Sequence, residues 1–297
     1  MTAYLMLSLF ALILGMLVGS FLNVCICRLP KGESVVFPPS HCPQCDYRIR
    51  WHDNIPLVSY LLLRGKCRGC GMHISMQYPL VELLNGLLTL ALFLRFGQTL
   101  AFPVLFLFCS ALVVITFIDL QYQIIPDEIS LPGIVIGFVF SFFLQGHSWL
   151  NSLLGILLGG GSLLLVAYGY QWLTGKEGMG GGDIKLLAMM GAFLGWKSIL
   201  FIIFASSLVG SVVGITMMLV QKKDSKLAIP FGPYLAFGAL LYIFCGEKII
   251  HWYLNMGSFF SKLEVNFWAV STAKIMSAFF CKHGFVNVLI PFIGATG

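Results

Sequence analysis

The sequence predicts an all-α polytopic membrane protein of about eight transmembrane helices carrying one cytoplasmic zinc-knuckle loop. Three observations predict it. Hydrophobic residues make up 58% of the 297 residues and charged residues only 10%, against roughly 25% charged in soluble domains. The mean hydropathy is +0.91. The apolar residues fall into long uncharged runs, and the one sizeable polar region before the C-terminal tail carries two paired-cysteine motifs. The net charge of +6 does not call for nucleic acid, because membrane proteins collect Lys and Arg in their cytoplasmic loops.

The first run, Tyr4 to Cys27, is long enough to cross a bilayer. A cleaved signal peptide is the competing reading, but no basic residue precedes the run and its apolar stretch is too long. Arg28 and Lys31 follow at once, which puts the N-terminus outside and the next loop in the cytoplasm. Further spans are expected at Pro79–Phe96, Leu100–Ile118, Ile129–Gln145, Trp149–Leu173, Ile184–Trp196, Ser198–Val220 and Leu227–Cys245. The Ile184–Trp196 run is short for a span and borrows length from the glycines before it or lies partly re-entrant. The chain so divides into a first helix (1–27), a zinc-binding loop (28–78), a seven-helix catalytic region (79–245) and a tail (246–297).

Within the loop stand Cys42-Pro43-Gln44-Cys45 and Cys67-Arg68-Gly69-Cys70, separated by 21 residues. Two ligands from each of two tight turns suit a tetrahedral, closed, structural zinc. Two disulfides are the alternative, disfavoured on the reducing side of the membrane. His41 and His73 flank the pairs as substitute ligands or solvated neighbours. The other cysteines, Cys25, Cys27, Cys109, Cys245 and Cys281, lie in or near apolar segments and read as small packing residues.

Charge placement supports this orientation. Seven Lys/Arg lie in 28–78, two in 174–185 and three in 221–226, against only Arg95 and Lys197 in the outer loops; four more lie in the tail. The stretch Gly178-Met179-Gly180-Gly181-Gly182-Asp183-Ile184-Lys185 then meets the cytoplasmic membrane face, its carboxylate set between two apolar runs. An acidic residue there reads as functional and needs a partner, and glycines let an extended peptide approach. A simple helix cap is the bland alternative, but a cap needs no glycines before it. Asp119, at the end of Phe117-Ile118-Asp119-Leu120, arrives at the same depth. Asp127 and Glu128 are rivals, but they follow Pro126 and suit a helix N-terminus, so Asp127 reads as a cap. Lys185, two residues past Asp183, faces away from it on a helix and reads as a positive-inside anchor.

Two carboxylates in a confined site cannot both ionise readily, so one keeps its proton and the pair titrates as a unit. The ionised member takes a proton from water while its protonated partner polarises a peptide carbonyl. Peptide hydrolysis by an aspartyl dyad, Asp119 with Asp183, is the expected reaction.

The chain resembles the type IV prepilin peptidases, bifunctional leader peptidases and N-methyltransferases of pilus assembly and type II secretion. The resemblance rests on SFLNVCICRLP at 20–30, the two cysteine pairs, YPLVELLNG at 78–86, FIDLQYQIIPD at 117–127, GGGDIKL at 180–186 and IPFGP at 229–233, in that order. It implies that Asp119 and Asp183 are the catalytic pair. It implies a prepilin or pseudopilin substrate with a short basic leader and an apolar helix, and a place in the bacterial inner membrane among lipids and other pilus or type II secretion components. It also implies methylation of the new N-terminus from S-adenosylmethionine, for which no Rossmann-type glycine motif is present and no binding residues are named. The glycine-aspartate element is similar to that of intramembrane aspartyl proteases such as presenilin. Glu82, just inside the second span, serves either activity or pairs with Arg28 or a backbone group. After Cys245 the chain departs from the family pattern. Its tail has Trp252, Tyr253 and Trp268 among lysines, suiting interfacial helices, and a last apolar run, Phe285–Ala295, too short to span. A proton- or cation-coupled transporter and a non-catalytic secretion scaffold are the alternatives from other classes; the first leaves the zinc loop unexplained.

Overall fold

A computed structural model describes residues 2–42, 44–144, 148–175, 180–221, 230–253 and 255. Among them there are helices and turns but no strand, only two isolated bridges in the polar loop. Gly178 and Met179 of the glycine stretch, Lys176, the lysines at 222, 223 and 226, Ile229, Trp268 and the Phe285–Ala295 run lie outside the described residues.

Each expected span contains a helix over most of its described residues, that of Ile129–Gln145 ending at Phe140 and that of Leu227–Cys245 beginning at Gly232. These helices are α1 (Thr2–Arg28), α3 (Gln77–Phe96), α4 (Ala101–Tyr122), α5 (Asp127–Phe140), α6 (Trp149–Thr174), α7 (Gly181–Leu194), α8 (Trp196–Gln221) and α9 (Gly232–Leu241), with a short α2 (Val58–Leu62) in the loop. Among the described residues six helical stretches are long and apolar enough to cross a membrane, the last of them running from Gly232 through α9 to Tyr253. Two of the expected spans, α5 and α7, fall short at 14 residues each, about 21 Å of helix against a hydrocarbon core of about 30 Å. The physical reason is visible in α7. Leu186 through Phe193 are all buried, so α7 is sheathed by other helices and needs no length to meet lipid.

The most buried elements are α4 and α7, which carry the two aspartates. One cluster joins Phe108, Leu112 and Ile115 of α4 to Leu187, Met190 and Phe193 of α7 and to Leu235 and Ala239 of α9. A second packs Ile26 of α1 and Val81 of α3 on Val114 and Ile118 of α4. Large apolar side chains such as Phe10, Leu165, Leu200 and Phe204 point outward, as a lipid-facing surface requires. Between lipid-embedded helices apolar transfer supplies little drive, and close backbone packing and interhelical hydrogen bonds take its place. So it is here. A side chain on Gly155 of α6 would overlap the carbonyl of Gly191 on α7, and a Cβ on Gly159 would lie 2.6 Å from the Leu187 oxygen. Ser152 donates to the Ala192 carbonyl at 2.8 Å. On the other side, Asn85 of α3 donates to the Gly15 carbonyl of α1 at 2.7 Å and accepts from Ser110 of α4 at 3.1 Å.

The contacts group the chain into Met1–Phe244 and Cys245–Gly297. Of the second unit, only 245–253 and 255 are described, and they are helical.

Candidate active site

Asp119 lies in the last turn of α4, one turn before the helix ends at Gln123, whose left-handed backbone (φ 55°, ψ 38°) turns the chain. The sequence reading ended this span at Ile118; the helix carries on through the aspartate to Tyr122. Asp119 is 5% exposed, and its Oδ2 accepts the backbone N–H of Gly232 at 2.9 Å. Gly232 opens α9 and is followed by Pro233, so the carboxylate faces a helix N-terminus, where unpaired N–H groups favour negative charge. The approach requires glycine, since a Cβ there would sit 2.6 Å from Asp119 Oδ2.

Asp183 lies in the first turn of α7 and interacts electrostatically with Asp119. One side chain stands between their supports. Ile125, in the connection from α4 to α5, would touch a Cβ on Gly182 at 2.9 Å and its Cδ1 a Cβ on Gly232 at 3.5 Å. The segment following Asp119 therefore passes between the residue before Asp183 and the residue that bonds Asp119. The structure brings together the two aspartates that the sequence reading paired.

The rival Asp127 has a different partner. Asp127 is the first residue of α5, whose N-cap is Pro126, and no side chain caps that helix. The cap reading of Asp127 is thus corrected: its two oxygens take the Lys185 ammonium at 2.7 and 2.8 Å. Lys185 is correspondingly an ion-pair partner as well as a basic anchor. Glu82 is 7% exposed and bonds backbone, not Arg28. Its Oε2 accepts the Leu57 N–H at 2.9 Å, while Arg28 donates to the carbonyls of Ser34 and Pro38. That bond ties the membrane helix α3 to the polar loop.

In the loop, the sulfurs of Cys42, Cys45, Cys67 and Cys70 all lie within 4.8 Å of one another. Two pairs, Cys42–Cys70 and Cys45–Cys67, stand at 3.9 Å, too far for disulfides and close to the edge of about 3.8 Å for a tetrahedron with 2.3 Å bonds to zinc. The donor set therefore fits a closed tetrahedral metal. The two knuckles share one build. Cys42 N–H bonds the Tyr47 carbonyl and Asp46 N–H the Cys42 carbonyl; Cys67 N–H bonds the Met72 carbonyl and Gly71 N–H the Cys67 carbonyl. Asp46 and Gly71 are both left-handed at the matching position. The backbone N–H groups of Cys70 and Gly69 bring the Cys67 thiol down to about 7. The Tyr47 backbone also favours the Cys45 thiolate, but desolvation and the three neighbouring sulfurs leave that thiol up at about 12. A bound cation would hold all four as thiolates. His41 and His73 are not in the cluster: His41 Nδ1 lies by the Pro39 carbonyl, and His73 pairs with Lys66 in a bridge.

The sequence reading missed three features. The packing glycines stand at four-residue spacing, Gly15 with Gly19, Gly133 with Gly137 and Gly155 with Gly159, which is the signal for close helix approach in membranes. The Gly232 donor carried a weaker signal, a glycine before proline at a helix start. Ile125 carried none.

Residues 13–96 match the bacterial peptidase A24 N-terminal domain, and residues 106–215, which include both aspartates, match the type IV leader peptidase family. The prepilin leader peptidase/N-methyltransferase of Stutzerimonas stutzeri is 40% identical over 268 residues, 82% of this chain and 93% of its own. That of Pseudomonas aeruginosa is 39% identical over 84% of this chain and 93% of its own, and that of Xanthomonas campestris pv. campestris 42% identical over 82% and 92%. No solved structure matches the chain. With this similarity running across both halves and both aspartate-bearing helices, the chain belongs to the type IV leader peptidase family, alongside the prepilin leader peptidase/N-methyltransferases.

Proposed function

We propose that this protein is a membrane aspartic endopeptidase that removes the basic leader of type IV prepilins or pseudopilins at the cytoplasmic face of the bacterial inner membrane, then methylates the exposed N-terminus. The observation that carries the reading is the meeting of Asp119 and Asp183 about Ile125 and Gly232 in a member of the leader peptidase family. One carboxylate takes a proton from water as the water attacks the scissile carbonyl. The other, protonated, donates to the carbonyl oxygen and later supports departure of the amine. The apolar helix of the substrate stays in lipid while its leader remains in the cytoplasm. The N-terminus of the enzyme lies outside, and residues 79–245 form the catalytic region. Family membership disfavours the transporter and scaffold alternatives.

Zinc held by Cys42, Cys45, Cys67 and Cys70 is structural in this reading, because four protein ligands leave no open position. It closes residues 28–78 into a unit that Glu82 anchors to α3. S-adenosylmethionine is the methyl donor that such a methyltransferase requires. A cavity of about 260 Å³ beside Ser20, Arg28 and Asn54 does not fit it. The volume falls below the usual range of about 300 Å³ and more, the guanidinium is already bonded to two carbonyls, and no carboxylate lines the cavity to hold a ribose.

The test is to co-reconstitute the protein with a prepilin and isotope-labelled methyl donor and to sequence the product by mass spectrometry. A mature N-terminus carrying the labelled methyl supports the reading; an intact leader after prolonged incubation refutes it.

A further inference from the structure

We propose that Lys185 and Asp127 form an ionic latch that sets the separation of the two aspartates, so that both are positioning residues for peptide cleavage. The proposal rests on the dyad reading above. Lys185 follows Asp183 by two positions on α7, and Asp127 follows Ile125 by two positions at the start of α5. The ammonium lies 2.7 and 2.8 Å from the two carboxylate oxygens, a contact shared over both rather than a single grazing approach. Ile125 is the wedge between Gly182 and Gly232, the neighbours of Asp183 and Asp119 respectively. The first turn of α7 is thus clamped against the start of α5 at two points, the wedge on one side and the ion pair on the other.

Deeper in the membrane the same two helices are fixed by packing. A Cβ on Gly133 of α5 would meet Met189 Cγ at 2.9 Å, and one on Gly137 would meet Phe193 at 2.7 Å. At the aspartate end α7 meets the segment leading into α5 through Gly182 on Ile125 and through the ion pair. There the latch adds to the packing of α6, where a Cβ on Gly160 would meet the Ile184 oxygen at 3.9 Å, in setting where the first turn of α7 lies. An ordinary surface pair would add little, and with side chains 38% and 52% exposed this one adds little to global stability. Its consequence is geometric. Displacement of a reacting group by about 1 Å lowers rate by up to about a hundredfold, so a small shift of Asp183 is read in turnover and not in unfolding.

The experiment measures kcat and KM for prepilin cleavage by the full-length reconstituted protein and its Lys185→Met, Asp127→Asn and Lys185→Arg variants, and by the charge-exchanged Asp127→Lys/Lys185→Asp double variant. The single neutral variants should lose roughly tenfold in kcat with KM held within about twofold, as expected for displaced catalytic groups. Lys185→Arg and the exchanged pair should each return kcat to within about threefold of wild type, because either restores the ion pair. Wild-type kcat in both neutral variants would overturn the latch. So would a raised KM at unchanged kcat, which would make Asp127 a docking group for the basic leader instead. If the exchanged pair fails to fold, Lys185→Arg alone decides the rescue, and a kcat no better than that of Lys185→Met overturns the proposal. Asp119→Asn and Asp183→Asn in the same assay separate the two claims. Residual cleavage by them sinks the dyad, whereas their inactivity beside fully active latch variants sinks only the latch.

Discussion

Replacing Gly232 with alanine should damage cleavage without unfolding the protein. The added Cβ would lie 2.6 Å from Asp119 Oδ2 and 3.5 Å from Ile125 Cδ1. Contact between carbon and oxygen needs well over 3 Å, so either α9 or the carboxylate must move, and the 2.9 Å bond from the Gly232 N–H stretches or breaks. A hydrogen bond to a charged group contributes about 1.5–3 kcal/mol. At about 1.4 kcal/mol per tenfold, loss of most of it from the reacting geometry lowers kcat by roughly ten- to a hundredfold. Alanine otherwise suits the first turn of a helix better than glycine, so α9 itself should persist. The control is Gly161→Ala in α6, where nothing lies within 4 Å of the new Cβ. Single-turnover cleavage of a reconstituted prepilin reads both, with thermal melting to confirm folding. A Gly232→Ala enzyme that cleaves at the wild-type rate would refute the argument that this N–H holds a catalytic carboxylate.

Other outcomes follow from the same geometry. Cys42→Ser/Cys45→Ser should drop bound zinc, measured by metal analysis of the purified protein, from about one per chain to near none, since two of four tetrahedral ligands are gone. A purified wild-type protein with no zinc and four labelled thiols would end the knuckle reading. Gly155→Leu should part α6 from α7, because its side chain would overlap the Gly191 carbonyl; overpacking typically costs about 1–3 kcal/mol, read as a lowered melting temperature. In the loop, Arg68 bonds Asp53 at 2.6 Å and holds that carboxyl below its ordinary range, chiefly through the hydrogen bond. A depressed carboxylate contributes stability above the unfolded value of about 3.9, and that contribution is lost as pH falls through the lower folded value. Hydrogen exchange across 50–70 should therefore be faster in Arg68→Met than in wild type near neutral pH, with the difference vanishing in strong acid.

Much of this site was legible in the sequence because its chemistry is local. Cysteine spacing announces a metal knuckle whatever surrounds it, and a carboxylate flanked by apolar runs announces itself by its cost. Asp119 and Asp183 could be paired without coordinates because the basic loops put the ends of both helices on one side. What was not legible depends on contacts between distant segments. Asp127 looks like a cap from its place after Pro126, and only the folded chain shows Lys185, 58 residues away, taking its charge. Gly232 is 113 residues from Asp119. The expected spans Ile129–Gln145 and Ile184–Trp196 each hold a helix, but a 14-residue one over Asp127–Phe140 and Gly181–Leu194; hydropathy cannot tell a helix that meets lipid from one sheathed by others, and α7 is the second kind. The four-residue glycine spacings were in plain view, and reading them would have given the α6–α7 and α1–α3 contacts.

The most direct test of the account compares cleavage of one co-reconstituted prepilin by wild type, Asp119→Asn, Asp127→Asn and Asp183→Asn. An Asp119–Asp183 dyad gives no cleavage in the first and third variants and slowed but complete cleavage in Asp127→Asn. Loss with Asp127→Asn alongside full activity of Asp119→Asn would mean that the wrong partner was paired with Asp183, and full cleavage by all three would contradict the aspartyl mechanism altogether.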